Sequence, residues 1–393
     1  MIRKLAPILG ITFIDIIGFS MMIPMLPYFI THFGASPIVV GILLSIFSLC
    51  QLIAGPVWGH LSDRFGRKII LIISQIGATI GWAMLAFAPS IGWVFVARII
   101  EGVSGGNIGI TQAYVADLVE PKERSKAFGY IGATFGAGMV FGPVGGGLLY
   151  AKFGFAMPFL VAAALQFLTL GLTIFLLPES RSKQEEQNSL GLSEILSTFA
   201  RPKLARILLQ KAALSLGLYG WFAVFALFLQ RQFHFNLTQT DIYFSAFALS
   251  NVFVNAVLIG RLSRVLGDRM MSNVGLGSLV VAFVLVPLSH NYVVLVLGMA
   301  TFSLGMGLAS TGITALISAA AGDEEQGAVL GTSSSLDAMA GVVSPPISTS
   351  LLGRFGPGFA AVESLLFATI AFILGFYATL RPQTDIIEEA ASS

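Results

Sequence analysis

Apolar runs long enough to cross a bilayer recur along the chain, separated by short polar breaks. A hydrocarbon core takes roughly 20 apolar residues of helix. Twelve stretches meet that length: 5–30, 38–58, 69–88, 91–116, 127–150, 156–178, 204–230, 240–260, 270–289, 292–320, 329–351 and 359–380. In lipid only helices and closed barrels satisfy their own backbone, so runs of this length predict spanning α-helices and an all-α membrane protein. One long polar interruption, between Pro178 and Leu204, divides the runs six and six. It predicts a six-helix bundle at 1–178, a cytoplasmic linker at 179–203, a second six-helix bundle at 204–380 and a cytoplasmic tail at 381–393. Arg3 and Lys4 precede the first run as in a signal peptide, but the run is too long and no small-residue cleavage site follows. It is expected to remain as the first span.

Composition sharpens this picture. Hydrophobic residues make up 55% of the 393 and charged residues 11%, against roughly a quarter charged in soluble domains. A surface that cannot be covered with polar groups is expected to face lipid. The net charge of +2, with no cluster of basic residues, excludes a nucleic-acid partner. The single cysteine, Cys50, excludes an intrachain disulfide and is expected to be a buried small apolar residue. Lys and Arg are retained on the cytoplasmic side. With the N-terminus inside, all but Lys152, Arg231, Arg354, Arg98 and Lys211 of the 22 basic residues fall on that side. The chain is therefore expected in the inner cell membrane with both termini cytoplasmic.

The halves echo one another. GHLSDRFGRK at 59–68 returns as GRLSRVLGDR at 260–269, keeping Gly59/Gly260, Leu61/Leu262, Ser62/Ser263 and Gly66/Gly267. At nearly the same offset, Glu123, Gly129 and Pro143 match Glu325, Gly331 and Pro345. Such a parallel duplication is one architecture of secondary transporters, with substrate held between the halves near the midplane.

Charges inside spans cost at least ~2.5 kcal/mol each and are functional candidates. Asp15 lies about 15 Å into the first span at the helical rise, near the midplane, with only apolar flanks. An isolated carboxyl there suits proton binding or a hydrogen bond to a neighbouring helix. Arg98 and Glu101 are spaced to face each other, with Gly105 and Gln112 on the same side. They form either a proton-exchanging pair or one that neutralises itself. Asp337, about 12 Å into the eleventh span, shares a face with Ser334, Gly341 and Ser344 and suits substrate or proton. Asn251 and Asn255 form a second polar stripe, read first as a bond between helices. Tyr219, with Tyr114, Tyr130, Trp221 and Phe222, is an aromatic candidate for the wall of a substrate cavity, and Glu363 is expected at the outer interface.

Three motifs carry a family resemblance. GHLSDRFGRK resembles the signature loop of the major facilitator superfamily, ARIIEGVSGG at 97–106 its fourth-helix motif, and GYIGATFGAGMVFGPVGGG at 129–147 the fifth-helix motif of its drug/proton exporters. Asp15 ahead of MIPMLP at 22–27, AYVADL at 113–118 and LPES at 177–180 look like the bacterial tetracycline exporters. The resemblance implies twelve transmembrane helices in two pseudo-symmetric six-helix bundles, the major facilitator fold. It implies that the first helix lines the central cavity and that Arg98 serves proton transfer. It also implies that Asp63, Arg64, Gly66, Arg67 and Asp117 form a cytoplasmic latch, with Asp63 against the start of the eleventh helix and Asp117 as the acidic partner of Arg67. Arg264 stands where Asp63 has its match, so one latch is expected rather than two. Gly138, Gly142 and Pro143 form a fifth-helix hinge that lets the halves rock.

The expected activity is export of small lipophilic or amphipathic compounds in exchange for protons, by a monomer needing no cofactor or metal. No GxxxxGK[ST] occurs, so ATP is not the expected direct drive. The alternatives are a nutrient/proton symporter or a lipid transporter on the same fold. A membrane enzyme finds little support: the four histidines fall at helix ends or loops.

Overall fold

The computed structural model describes residues 2–105, 107–120, 123–179, 201–321 and 326–380. Most of the expected linker (180–200), the tail (381–393) and Glu325 lie outside them. The described residues are almost wholly helical, without a strand. The first half of the chain forms α1 (Ile2–His32), α2 (Pro37–Phe65), α3 (Arg67–Ala86), α4 (Ile91–Ser104), α5 (Asn107–Leu118), α6 (Arg124–Phe153) and α7 (Ala156–Leu176). The second forms α8 (Pro202–Phe233), α9 (Leu237–Phe253), a π-helical stretch (Val254–Leu258), α10 (Ile259–Leu285), α11 (Tyr292–Ala320), α12 (Gln326–Phe355), a short 3-10 turn and α13 (Val362–Leu380).

Nine helices among the described residues are by themselves long and apolar enough to cross a bilayer. The difference from twelve has physical causes. The fourth predicted span is broken at Gly105, whose backbone is extended (φ −72°, ψ 122°), leaving α4 and α5 each too short. Glycine is the weakest helix former after proline, and two stand together here. The eighth and ninth spans run on as one helical stretch, Leu237–Leu285. They are bent at Gly267, whose φ of +69° only glycine adopts easily. Gly66 holds the matching turn between α2 and α3 at φ +104°. The two turns sit at corresponding places in the repeat, so the sequence echo is also an echo of backbone. The eleventh span, α12, is long enough but carries serines, Asp337 and two prolines through its middle.

Helices in lipid gain nothing from hiding apolar surface from one another, so close packing at small residues holds them. α6 shows this twice. Gly138 and Gly142 lie against Ile16 and Ser20 of α1, and Ser20 donates to the Gly138 carbonyl at 3.0 Å. Gly136 and Gly147 lie against Val252 and Asp241 of α9. One helix therefore packs on its own half and on the other. A second cross-half seam joins α2 to α12, where Gly41 meets Pro345 and Thr349, and Ser45 donates to the Val342 carbonyl at 2.6 Å.

Candidate functional site

Hydrogen bonds between the halves gather at one end of the molecule, the end carrying the 33–36 and 234–236 connections. There Tyr28 is within 2.8 Å of the Phe235 carbonyl and 2.7 Å of Thr240 Oγ1, and Thr238 donates to the Gly147 carbonyl at 3.2 Å. Rings seal the same end: Phe29, Phe33, Phe155 and Phe159 on one side, Phe225, Phe235 and Tyr243 on the other. At the opposite end, Arg67 and Lys68 turn to their own half. Arg67 lies 2.5 Å from Asp63 and 3.4 Å from Asp117, while the Lys68 ammonium donates to the Ile174 carbonyl. Arg64 lies over Phe65.

Between the two ends lie the charged side chains. Lys211 and Ser215, one turn apart on α8, both bond Asp337 Oδ1 on α12, the ammonium at 2.7 Å. Asp337 stays about one third exposed, and Lys211 is 15% exposed. One turn along α12, Gly341 packs on Tyr219 of α8 and on Ser48 of α2 in the other half. Ser344 donates to the Leu216 carbonyl. The face expected to be wet is thus hydrogen-bonded to α8 at Asp337 and Ser344, with openings at Asp337 and at Tyr219, which is 40% exposed.

The first half keeps its charges inside. Arg98 and Glu101 pair closely, both buried, and the guanidinium also lies 2.9 Å from Met22 Sδ and 4.0 Å from the Phe47 ring. Arg98 Nε and Glu101 Oε1 have no hydrogen-bond partner. Asp15 points away from the cross-half seams, toward Gln75 on α3 and Gln166 and Thr169 on α7. Its Oδ1, both amide atoms of Gln75, Gln166 Nε2 and Thr173 Oγ1 make no hydrogen bond. The polar pocket inside this half therefore has more groups than pairs.

The chain matches the family model described as Major Facilitator Superfamily over residues 8–345 and 212–392. It belongs to the major facilitator superfamily. Like its relatives, this facilitator is a multi-pass membrane transporter. It is 30% identical to the class C tetracycline resistance protein of Escherichia coli over 361 residues, 89% of each chain. It is 28% identical to multidrug resistance protein 1 of Bacillus subtilis over 370 residues, 94% of this chain and 93% of that one. Among solved structures, a bacterial homologue of the human lysosomal transporter Spinster in an inward-facing, unoccupied conformation superposes with a TM-score of 0.81 at 17% identity, covering 96% of each chain. The human organic anion transporter MFSD10 gives 0.73 at 21% identity, covering 95% of this chain and 99% of that one. These last two establish the fold.

The facilitator's site departs from its sequence in several places. Asn255 donates to the Asn251 carbonyl and side chain, a bond along one helix rather than between helices. A π-helical stretch begins just beyond Asn251, at Val254, a distortion no apolar pattern encodes. Gln112 is exposed on α5, beyond the break at Gly105 and so off the Arg98 turn. Asp63 meets Arg67 among the described residues, rather than the start of α12. Tyr114 and Trp221 are buried in apolar cores and line no opening. Glu363 is buried and accepts a hydrogen bond from Ser348. Cys50 is part-exposed on an apolar lateral groove with Ile53, Val57, Trp58 and Val103. Sequence reading missed Lys211 as the partner of Asp337, although a lone lysine inside a span with Ser215 and Tyr219 at helical spacing was a usable signal. It also missed Asp241.

Proposed function

We propose that this transporter exports small lipophilic or amphipathic compounds, drugs among them, in exchange for protons by alternating access. The observation that carries the reading is the part-exposed Lys211–Asp337 pair beside the point where Gly341, Tyr219 and Ser48 meet. A carboxylate open to solvent at span depth is tolerated only next to water or a partner, and this one has both. A cationic group or a proton arriving at Asp337 competes with Lys211, so occupancy is felt by α8 and α12 together. The names of the relatives, tetracycline and multidrug resistance proteins, support a drug as cargo.

In this reading the end carrying the 59–68 loop is cytoplasmic, as the Lys and Arg distribution requires, and the sealed end faces outward. Asp15 and the Arg98–Glu101 pair take part in proton coupling inside the first half. Asp63, Arg64, Gly66, Arg67 and Asp117 latch the cytoplasmic end when it closes, Asp63 leaving Arg67 for the start of α12. Gly138, Gly142 and Pro143 let α6 rock on α1. The transporter works as a monomer in the inner membrane.

The test is accumulation of tetracycline or ethidium in proteoliposomes under an imposed pH gradient. Export by antiport predicts accumulation in the acidic compartment, abolished by a protonophore. Movement of the compound together with the proton, or with no regard to the gradient, contradicts it.

A further inference from the structure

The outward seal contains a carboxyl with nothing to bond. Asp241, in the second turn of α9, is fully buried, and neither of its side-chain oxygens has a hydrogen-bond partner. It enters none of the ion pairs among the described residues. Its neighbour across the seam is Gly147 of α6, where an added Cβ would lie 2.6 Å from Oδ2. The ionisable group near it on α1 is Tyr28, which Tyr150 of α6 also neighbours. Both are phenols, and neither offers a positive charge. The Tyr28 hydroxyl lies against Thr240 and the Phe235 carbonyl instead.

A carboxylate sealed without a counter-charge or donor is strongly disfavoured, whereas a neutral carboxylic acid tolerates the same place far better. When α9 separates from α6, water reaches the group and removes that preference. The burial of this one side chain therefore depends on whether the seam is closed.

Resting on the exporter reading for its direction, we infer that Asp241 is the outward gate's proton site: the α6–α9 seam closes over the neutral acid and opens over the carboxylate. A proton taken from outside water binds a carboxylate oxygen of Asp241 in the open seam. Tyr28, Thr238 and Thr240 then make their cross-half bonds, and the transporter turns to face the cytoplasm. On reopening the proton returns to outside water, so this site triggers the return step and adds nothing to the protons carried across. Gly147, lacking a side chain, leaves room on α6 for the acid.

The closed-to-open ratio should then fall as pH rises, by at most about tenfold per pH unit for one proton. The experiment measures the distance between spin labels at Ser36 and Gly358, at the outward end of the two halves, in the full chain with Cys50→Ser. It is done in proteoliposomes without substrate or gradient. The wild-type distance is expected to shift from closed to open with rising pH. Asp241→Asn is expected to stay closed throughout, and Glu363→Gln, a change at another buried carboxyl, to behave as wild type. A wild-type distance that ignores pH overturns the inference, and so does an Asp241→Asn protein that opens as wild type does. If Asp241→Asn does not fold, Asp241→Ser, which also removes the ionisable group, takes its place with the same two outcomes. Drug-driven proton flux is not read here, so failure of the exporter reading and failure of this gate are told apart.

Discussion

Lys211 Nζ sits 2.7 Å from Asp337 Oδ1, joining two helices of the second half beside the seam with the first. Among the described residues each charge is the other's only charged partner, and neither is fully buried. Asp337→Asn should abolish proton-coupled transport while leaving insertion and fold intact. Asp337→Ala should be more harmful to folding than Lys211→Ala, because it leaves the less exposed ammonium without its counter-charge, whereas the carboxylate left by Lys211→Ala has more access to water. Transport rates and thermal unfolding in detergent check both. A Lys211→Ala protein with full stability and full flux would remove the pair from the account.

Arg98 and Glu101 make a different prediction, because both are buried. Removing one partner leaves a buried charge and should cost about 3–5 kcal/mol, while replacing both with apolar residues of similar size should recover much of that loss. Thermal unfolding of Glu101→Ala, Arg98→Met and Arg98→Met/Glu101→Leu tests this. The double change should restore stability without restoring drug export.

Asp63 pairs with Arg67 in this conformation, with half its side chain exposed. An exposed pair of this kind contributes roughly 0–1 kcal/mol, so Asp63→Asn should barely change stability. It should slow exchange between conformations more than it weakens substrate binding. Stopped-flow transport alongside equilibrium substrate titration separates the two, and a pure affinity loss would count against the latch.

Gly147 should tolerate no side chain, since a Cβ would lie 2.6 Å from Asp241 Oδ2. Gly147→Val is expected to hold the outward seam apart and make a thiol placed at Thr238 reactive to membrane-impermeant reagents. Labelling that matches the unsubstituted background would contradict this.

The apolar runs made the spans legible because bilayer thickness fixes helix length. The turns at Gly66 and Gly267 were legible because only glycine takes their backbone cheaply. The break at Gly105 was only half legible, since two adjacent glycines weaken a helix without dictating that it ends there, and the π-helical turn at Asn255 follows from no residue pattern. Side-chain partners were the least legible. Asp15 looked isolated because its flanks are apolar, yet Gln75 and Gln166 reach it from helices 60 and 151 residues further along the chain. Asp241 lies among polar residues at the start of a helix, where the apolar pattern gives no sign of burial. Its burial comes from α6, almost a hundred residues earlier.

The central claim is that drug and proton movement are coupled through the charged groups at span depth. In proteoliposomes holding a pH-sensitive dye, with no gradient imposed, adding tetracycline or a lipophilic cation outside should change internal pH in step with its entry. Asp15→Asn and Asp337→Asn should silence that signal while the protein remains folded. Compound entering with no change in internal pH, or an undiminished signal from both variants, would contradict the account.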